Sequence, residues 1–389
     1  MKVLIILVPR FDPNSGGVQM STFKLASYFH SQQVPVSVFS FDHQGHQPPD
    51  FLTSFDHGQE PGVNYKAANM ERCREFVRQE QPDVVINQMP YELRVGDMLK
   101  AEQATQNFLL LGCLRGSFFA VKLNLELYRK TLLPKPLQPF FKHQLGYWML
   151  LQVHKFKHGR DLKHIIDTYN YYVLFGDPNR KELEYFIGAY KQHKLAYIPN
   201  SIPQVLDEVP TKEKRLLWLS RVDYRQKHAE YIIPLWKKLK DRLPDWEFDV
   251  VGNGGALPDL KQQAQEEQIE RIHFYGKQKP DSYYSRAPIY IMTSSFEGFP
   301  NTLIEAQSFG AVPIVFDSYP MVREIVNSEN GVLVETHKLD QMADEIVRLA
   351  DDSGRNQNMM TSALENARRF TIDQVGQKWI DLFASHSGQ

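Results

Sequence analysis

The sequence predicts an α/β protein made of two Rossmann-like halves, each an open parallel sheet with helices packed on it. Three observations carry that expectation. Short apolar runs recur along the whole chain, helical segments lie between most of them, and 389 residues are too many for one ordinary core.

The apolar runs read as strands buried on both faces, as parallel strands are. In the first half they are residues 2–8, 34–41, 83–87, 108–113, 171–175 and 195–198. The second half offers 216–220, 247–251, 272–275, 289–293, 312–316 and 331–334. Helices are expected over 20–32, 229–242, 259–267, 302–309 and 338–351. Alternation of this kind implies right-handed βαβ crossovers. No short repeat period is present.

Residues 1–8 read as a first buried strand rather than a leader, because the apolar run is short and no small-residue cleavage site follows it. No stretch approaches the roughly 20 apolar residues of a membrane span. Hydrophobic residues at 42% and charged residues at 23% describe a soluble globular chain. Lys and Arg (45) balance Asp and Glu (46), which argues against a general nucleic-acid binder. Cys73 and Cys113 fit neither a CxxC nor a zinc spacing and read as reduced structural thiols of a cytosolic protein.

Pro199-Asn200-Ser201-Ile202-Pro203, followed by the polar residues 207–214, marks the boundary between domains 1–200 and 201–371. A last helix near 372–383, within the segment 372–389, is expected to pack back on the first domain. Residues 115–163 break the pattern, with ten Lys/Arg against two Asp/Glu. Phe118, Phe119, Tyr128, Phe140, Phe141, Tyr147 and Trp148 are interspersed among them. Two readings stay open: contact with an anionic membrane, or a helical insertion whose aromatics fill core and whose lysines are solvated.

The strongest constellation is Ser294-Ser295-Phe296-Glu297-Gly298-Phe299-Pro300-Asn301-Thr302-Leu303-Ile304-Glu305-Ala306. A strand ends near Thr293, and a short loop carries Glu297 into a helix with Asn301 expected at the N-cap. The amides near Thr302 and Leu303 are then expected to be unpaired, an end that binds phosphate. Glu297 before the helix and Glu305 one turn inside it would flank a diphosphate, accepting hydrogen bonds from hydroxyls on either side.

That pair resembles the paired-glutamate motif of family-four retaining glycosyltransferases of the GT-B type. Arg271-Ile272-His273-Phe274-Tyr275-Gly276 resembles the family's strand before the donor loop. Phe309-Gly310-Ala311-Val312-Pro313-Ile314-Val315 resembles the strand after it. Asn330-Gly331-Val332-Leu333-Val334 and Tyr197-Ile198-Pro199-Asn200-Ser201 also match. The resemblance is close over about residues 195–350 and looser before.

It implies two Rossmann-like domains with parallel sheets facing across a cleft, an acceptor-side N-terminal domain and a donor-binding C-terminal one. It also implies transfer of a hexosyl unit, with retention, from a UDP- or GDP-linked sugar to a saccharide or lipid-linked saccharide. The expected setting is cell-surface polysaccharide or lipopolysaccharide assembly, in the cytoplasm or peripherally on the inner membrane face.

Arg221 and Lys227, in Arg221-Val222-Asp223-Tyr224-Arg225-Gln226-Lys227, leave the first strand of the second half. A departing diphosphate needs positive charge there, and the family places an Arg and a Lys at this turn for that purpose. The spacing is one residue longer than the family's, so Arg225 stands as an alternative to Lys227. Gly252 lies in the glycine turn Gly252-Asn253-Gly254-Gly255, which a tight βα turn also explains. Lys277 follows the next strand, where relatives hold the base. Gly298 and Phe299 complete the donor loop.

In the first half, Asn14-Ser15-Gly16-Gly17-Val18 is not the GxGxxG fingerprint of a nicotinamide enzyme. The family uses a Gly-Gly turn here, which gives Gly16 and Gly17 to the donor site on closure. One departure is that Arg115 stands where many relatives have a His reaching the transferred sugar. Arginine is no base near neutral pH, so its expected role is to hydrogen-bond a donor hydroxyl or an acidic group.

The implied mechanism is front-face displacement, in which the departing phosphate takes the acceptor hydroxyl's proton. Glu297 would hold the donor sugar's hydroxyls and Glu305 the ribose. No Asp-x-Asp motif is present, so no obligatory metal and no cofactor are expected. The rival readings are a GT-B nucleotide-sugar epimerase, which donor alone would reveal, and a catalytically silent nucleotide-sugar-binding protein.

Overall fold

Val3-Leu4-Ile5-Ile6-Leu7 is wholly buried and forms β1 (Val3–Leu7), an inner strand flanked on both sides, as continuous apolar character requires. The computed structural model describes residues 1–387 except 9, 14–15, 43–47, 60–64, 121–132 and 142. Tyr128, Asn14 and Ser15 lie outside the described residues, as does the Phe140 side chain.

The chain divides into Met1–Ser201 with Ile372–Gln389, and Ile202–Thr371. In the first unit α1 (Gly17–Ser31), β2 (Val36–Ser40), β3 (Ser54–His57), α2 (Ala67–Glu80), β4 (Val84–Asn87) and α3 (Leu93–Gln106) follow β1. Then come β5 (Leu109–Cys113), α4 (Gln144–Thr168), β6 (Tyr171–Leu174), α5 (Asp177–Ile187) and β7 (Leu195–Tyr197). The sheet order is β3-β2-β1-β4-β5-β6-β7, and the paired strands run parallel.

The strand β3 was not expected. Ser-Phe-Asp-His is short, polar and half-buried at the sheet edge, so it gives no apolar run to read. Its partners are specific nonetheless: Ser54 Oγ lies 3.0 Å from Ser37 Oγ, and Asp56 takes Arg72 at 2.7 Å.

The second unit contains β8 (Arg215–Leu219), α6 (Ile232–Leu239), β9 (Glu247–Val251), α7 (Leu257–Glu266), β10 (Ile272–Gly276) and α8 (Asp281–Arg286). It continues with β11 (Ile289–Met292), α9 (Asn301–Ser308), β12 (Val312–Phe316), α10 (Val322–Ile325), β13 (Val332–Val334), α11 (Leu339–Asp351) and α12 (Ser353–Arg368). Its order is β10-β9-β8-β11-β12-β13, again parallel. Trp218, Trp236 and Phe248 fill the core between this sheet and its helices. Each such side chain contributes about 1.5–3 kcal/mol by leaving water.

The last helix, α13 (Ile372–Ser387), belongs to the first unit, where Val375, Trp379 and Phe383 join the core of β1, β2 and α1. Phe383 meets Phe29 with ring centroids 5.5 Å apart. Both cysteines are buried thiols, and burial pushes Cys113 up to about 11. No helix among the described residues is long and apolar enough to cross a membrane.

Candidate active site

In the second sheet the chain runs outward from β8 to β9 and β10, then returns to β11 on the other side of β8. Strand order therefore reverses between β8 and β11, the switch point where open α/β sheets leave a crevice beyond their carboxyl ends. The loops after these two strands, 220–227 and 293–300, contain Arg221, Lys227, Glu297, Gly298 and Phe299.

The two loops are stitched together. Asp223 Oδ1 accepts the amides of Arg225 and Gln226 at 3.1 and 2.8 Å, which bends the chain after β8. Burial opposes ionisation of Asp223, but the Gln226 amide, the Arg221 guanidinium and the Lys227 amide outweigh it and hold its pKa below the ordinary value. The Ser295 amide donates to Gln226 O at 2.8 Å, and Trp218 Nε1 donates to Thr293 Oγ1 at 3.0 Å. Thr293 Oγ1 in turn donates to Lys227 O at 2.6 Å.

Inside this frame Lys227 Nζ forms an ion pair with Glu297 Oε1, and Gln226 Nε2 donates to Glu297 Oε2 at 3.1 Å. The side chains of Lys227 and Glu297 are 12% and 10% exposed, so the pair is largely removed from water. Lys227 thus meets the glutamate directly, whereas Arg225 is exposed. Arg221 is also exposed, its Nε on Asp223 at 2.6 Å and its Nη2 on Gln226 Oε1 at 2.9 Å.

The helix α9 starts one residue earlier than expected. Pro300 occupies the cap position, and Asn301 is the first helical residue rather than the N-cap. Proline suits a helix entry because its φ is already near the helical value and it has no amide to satisfy. The expected pair of unpaired amides is corrected as well. Leu303 N donates to Pro300 O at 3.0 Å, and Asn301 N donates to Phe299 O at 3.0 Å. Thr302 N has no backbone acceptor among the described residues, while Thr302 Oγ1 accepts from Tyr290 at 2.8 Å. The Leu303 side chain is wholly buried, and Phe299 packs edge-on against Phe370 at 5.7 Å. Glu305, one turn along α9, accepts from Tyr284 OH at 3.3 Å.

Gly252 has φ +139°, and a Cβ there would sit 1.7 Å from Ser220 O. A Cβ on Gly254 would lie 2.2 Å from Val222 O. Close packing of this turn on the loop after β8 therefore accounts for both glycines. Lys277 is exposed beside Gly276, whose φ is +69°.

Three expected residues lie in the first unit. Gly16 caps α1 in an extended conformation, with Gly17 as the first helical residue, and both are exposed. Arg115 leaves β5 and turns within its own unit, where Nη1 donates to Asn200 Oδ1 at 3.4 Å. Its Nε is buried without a partner among the described residues, and burial lowers its pKa from the ordinary value. Asp223, Gln226 and Thr293 were missed by the sequence reading. An Asp opening a turn was the available signal for the first; the other two act through contacts across about 70 residues, which no spacing reveals.

Residues 206–369 match the family model described as Glycosyl transferases group 1, which takes in nearly all of the second unit. The chain thus carries a glycosyltransferase domain. A Haemophilus influenzae protein described as an uncharacterized glycosyltransferase is 28% identical over 159 residues, 40% of this chain and 45% of that protein. The poly(glycerol-phosphate) alpha-glucosyltransferase of Bacillus subtilis is 22% identical over 228 residues, 57% of this chain and 34% of that protein. The chain therefore spans less than half the length of these two relatives. A mutant of S. aureus TarM, solved with Fondaparinux, alpha-GlcNAc-glycerol and UDP, superposes with a TM-score of 0.74 at 14% identity. That superposition covers 98% of this chain and 100% of the TarM chain, and it places the whole chain in the GT-B-type fold.

Proposed function

We propose that this protein is a nucleotide-sugar-dependent glycosyltransferase of the retaining, family-four kind. It moves a hexosyl unit from a UDP- or GDP-linked donor to a saccharide or lipid-linked saccharide in surface polysaccharide or lipopolysaccharide assembly. The observation that carries the reading is the buried Lys227–Glu297 pair at the second sheet's switch point, inside the group 1 domain. A carboxylate and an ammonium fixed side by side offer one group to sugar hydroxyls and the other to the phosphate next to them.

Lys227 and Arg221 supply charge to the departing diphosphate, Glu297 holds donor hydroxyls and Glu305 holds the ribose. The Thr302 amide at the start of α9 adds a donor for a phosphate oxygen. The leaving phosphate takes the acceptor proton, so the protein contributes orientation and charge rather than a base, with no step routed through a metal. The TarM mutant's complex with UDP supports this donor class.

We infer peripheral contact with anionic membrane through α4. Leu145, Trp148, Met149, Val153 and Phe156 recur at i, i+3, i+4, i+8 and i+11, one face of the helix, and all are exposed, Phe156 at 82%. Exposed Arg160 and Lys163 continue that face. Apolar side chains followed by cations suit acyl chains beneath anionic headgroups.

The test is a screen of purified protein against UDP- and GDP-sugars by thermal shift and slow donor hydrolysis, with Glu305→Ala as control. Stabilisation by one donor class, lost in the control, is expected. No response to any nucleotide sugar would defeat the reading, and a sugar isomerised without acceptor would replace it with an epimerase.

A further inference from the structure

The first sheet has its own switch point, between β1 and β4, and a cavity of about 580 Å³ opens there. Its apolar lining is Val8, Val18 and Met89. Tyr65 and Tyr91 add two aromatic rings, and Gln19, Gln88 and Glu92 supply polar groups.

Gln88 is the informative residue. It is 3% exposed, and neither Oε1 nor Nε2 has a hydrogen-bond partner among the described residues. Its backbone is fixed, since the amide donates to Ile6 O at 2.8 Å and so prolongs the pairing of β4 with β1. A buried primary amide with both ends unmet is costly and rare in folded proteins. In its neighbour Asn87, by comparison, both amide atoms are bonded, Nδ2 donating to Tyr169 OH at 2.6 Å and Oδ1 accepting from Met89 N at 2.9 Å.

The rings beside it are held in place. Tyr91 OH accepts from Tyr172 OH at 3.1 Å, and the Tyr91 ring stacks on His158 with centroids 6.2 Å apart at 9°. Tyr65 packs on Phe41 at 5.3 Å. Its hydroxyl is directed at Met89 Sδ, 3.9 Å away. Arg94, which lies 5.6 Å from the Tyr65 ring centre, is bound to Glu92 at 2.7 Å, and the lining itself holds no cation among the described residues.

The geometry points to a binding site for a neutral pyranose. An amide that donates and accepts at once matches adjacent sugar hydroxyls, which do the same. The C–H face of the sugar ring is attracted to the electron-rich face of a fixed tyrosine. A phosphate or carboxylate ligand would instead meet Glu92 and no unpaired cation. Calling this sugar the acceptor rests on the transferase reading above; the binding site itself does not.

The test uses the full chain and saturation-transfer NMR with methyl glycosides of glucose, galactose, mannose and N-acetylglucosamine. Binding of UDP and GDP is measured in the same samples. At least one glycoside is expected to bind, with Gln88→Leu and Tyr91→Ala each lowering its affinity about tenfold and leaving nucleotide binding unchanged. Because leucine removes the unmet amide, Gln88→Leu is expected to melt no lower than the natural chain.

Absence of glycoside binding, or binding unaffected by both variants, would overturn the proposal. So would a marked fall in the Gln88→Leu melting temperature, which would make the amide structural. Glycoside binding that persists while no nucleotide binds would uphold this site and defeat the donor reading instead.

Discussion

At the second sheet's switch point Lys227 and Glu297 are buried against each other, while at the first sheet's switch point Gln88 is buried with no partner for its amide. Elsewhere the buried polar groups show both treatments. Asn179, wholly buried in the first unit, has neither amide atom bonded among the described residues, and Glu182 has one oxygen without a partner. In the second unit the buried Asp249 is bracketed by Arg215 at 2.9 Å and Arg286 at 3.6 Å. The contrast therefore belongs to the two switch points and not to whole units, since the first unit also pairs its buried Glu102 with Arg78 at 2.8 Å and the second leaves the buried Gln307 Nε2 without a partner among the described residues. Matched charge is preorganised for a charged ligand; unmatched amide is preorganised for a ligand that brings its own hydroxyls.

Breaking the match gives the largest expected effect. Lys227→Met strands Glu297 in a buried position, and removing one member of such a pair typically costs about 3–5 kcal/mol. Glu297→Gln alone strands Lys227 with a similar penalty. The double variant should recover most of that stability, because two neutral groups replace two charges. Chemical denaturation of the four proteins tests this, and additive losses would show that the two charges do not compensate each other. Donor turnover should stay lowered by roughly 10²–10³ in the double variant, since the charge beside the leaving group is gone.

The sheet strands were legible because the inner strands are apolar over most of their length, and wholly so in Val3–Leu7 and Val312–Phe316. β3 was not, because edge position halves its burial and permits Ser, Asp and His. The glutamate pair and the Arg–Lys turn were legible as local patterns. Their mutual contacts were not: Lys227 reaches Glu297 through the parallel neighbours β8 and β11, a relation of topology rather than spacing. Asn301 was misplaced by one residue because a proline at the cap position offers no side-chain signal for the helix start. Nothing in Asn87-Gln88-Met89 distinguishes an amide that is satisfied from one that is not, since that depends on what surrounds it.

The exposed face of α4 tests whether the first unit's apolar surface has a use beyond the sugar cavity. Trp148→Asp with Phe156→Asp removes two side chains each worth about 1.5–3 kcal/mol on burial. Cosedimentation with phosphatidylglycerol vesicles should fall at least about thirtyfold, with the melting temperature little changed because both side chains are mostly exposed. Equal binding of the natural chain to phosphatidylcholine would remove the role assigned to Arg160 and Lys163.

Glu182 sharpens the contrast in carboxylates. Burial raises its pKa from 4.5 to about 7 against the hydrogen bonds from Ser117 Oγ and Phe118 N at 3.0 and 2.9 Å. The folded chain therefore keeps a proton that the unfolded chain has lost. Stability is full below about pH 4.5 and declines as pH rises through about 7, by a total of the order of 3 kcal/mol. Glu182→Gln should remove that slope, which urea denaturation across this range would read. A slope that survives the substitution would assign it to another group.

The smallest effect separates shape from charge in the loop after β8. Asp223 both caps the turn through Oδ1 and pairs Oδ2 with Arg221 at 2.6 Å, and the Arg221 side chain is 61% exposed. An exposed partner is screened by water, so the pair itself is worth about 0–1 kcal/mol. The cap, which satisfies two backbone amides, is worth about 1 kcal/mol by analogy with helix caps. Asp223→Asn keeps an acceptor for the amides and should lose a few tenths of a kcal/mol, whereas Asp223→Ala should lose about 1–2 kcal/mol and weaken donor binding by loosening the frame around Lys227. Equal losses in the two variants would mean that the charge, not the turn, holds the loop. The second switch point would then depend on paired charges even at its rim, and the distinction between the two sheets would be deeper than the buried pair alone implies.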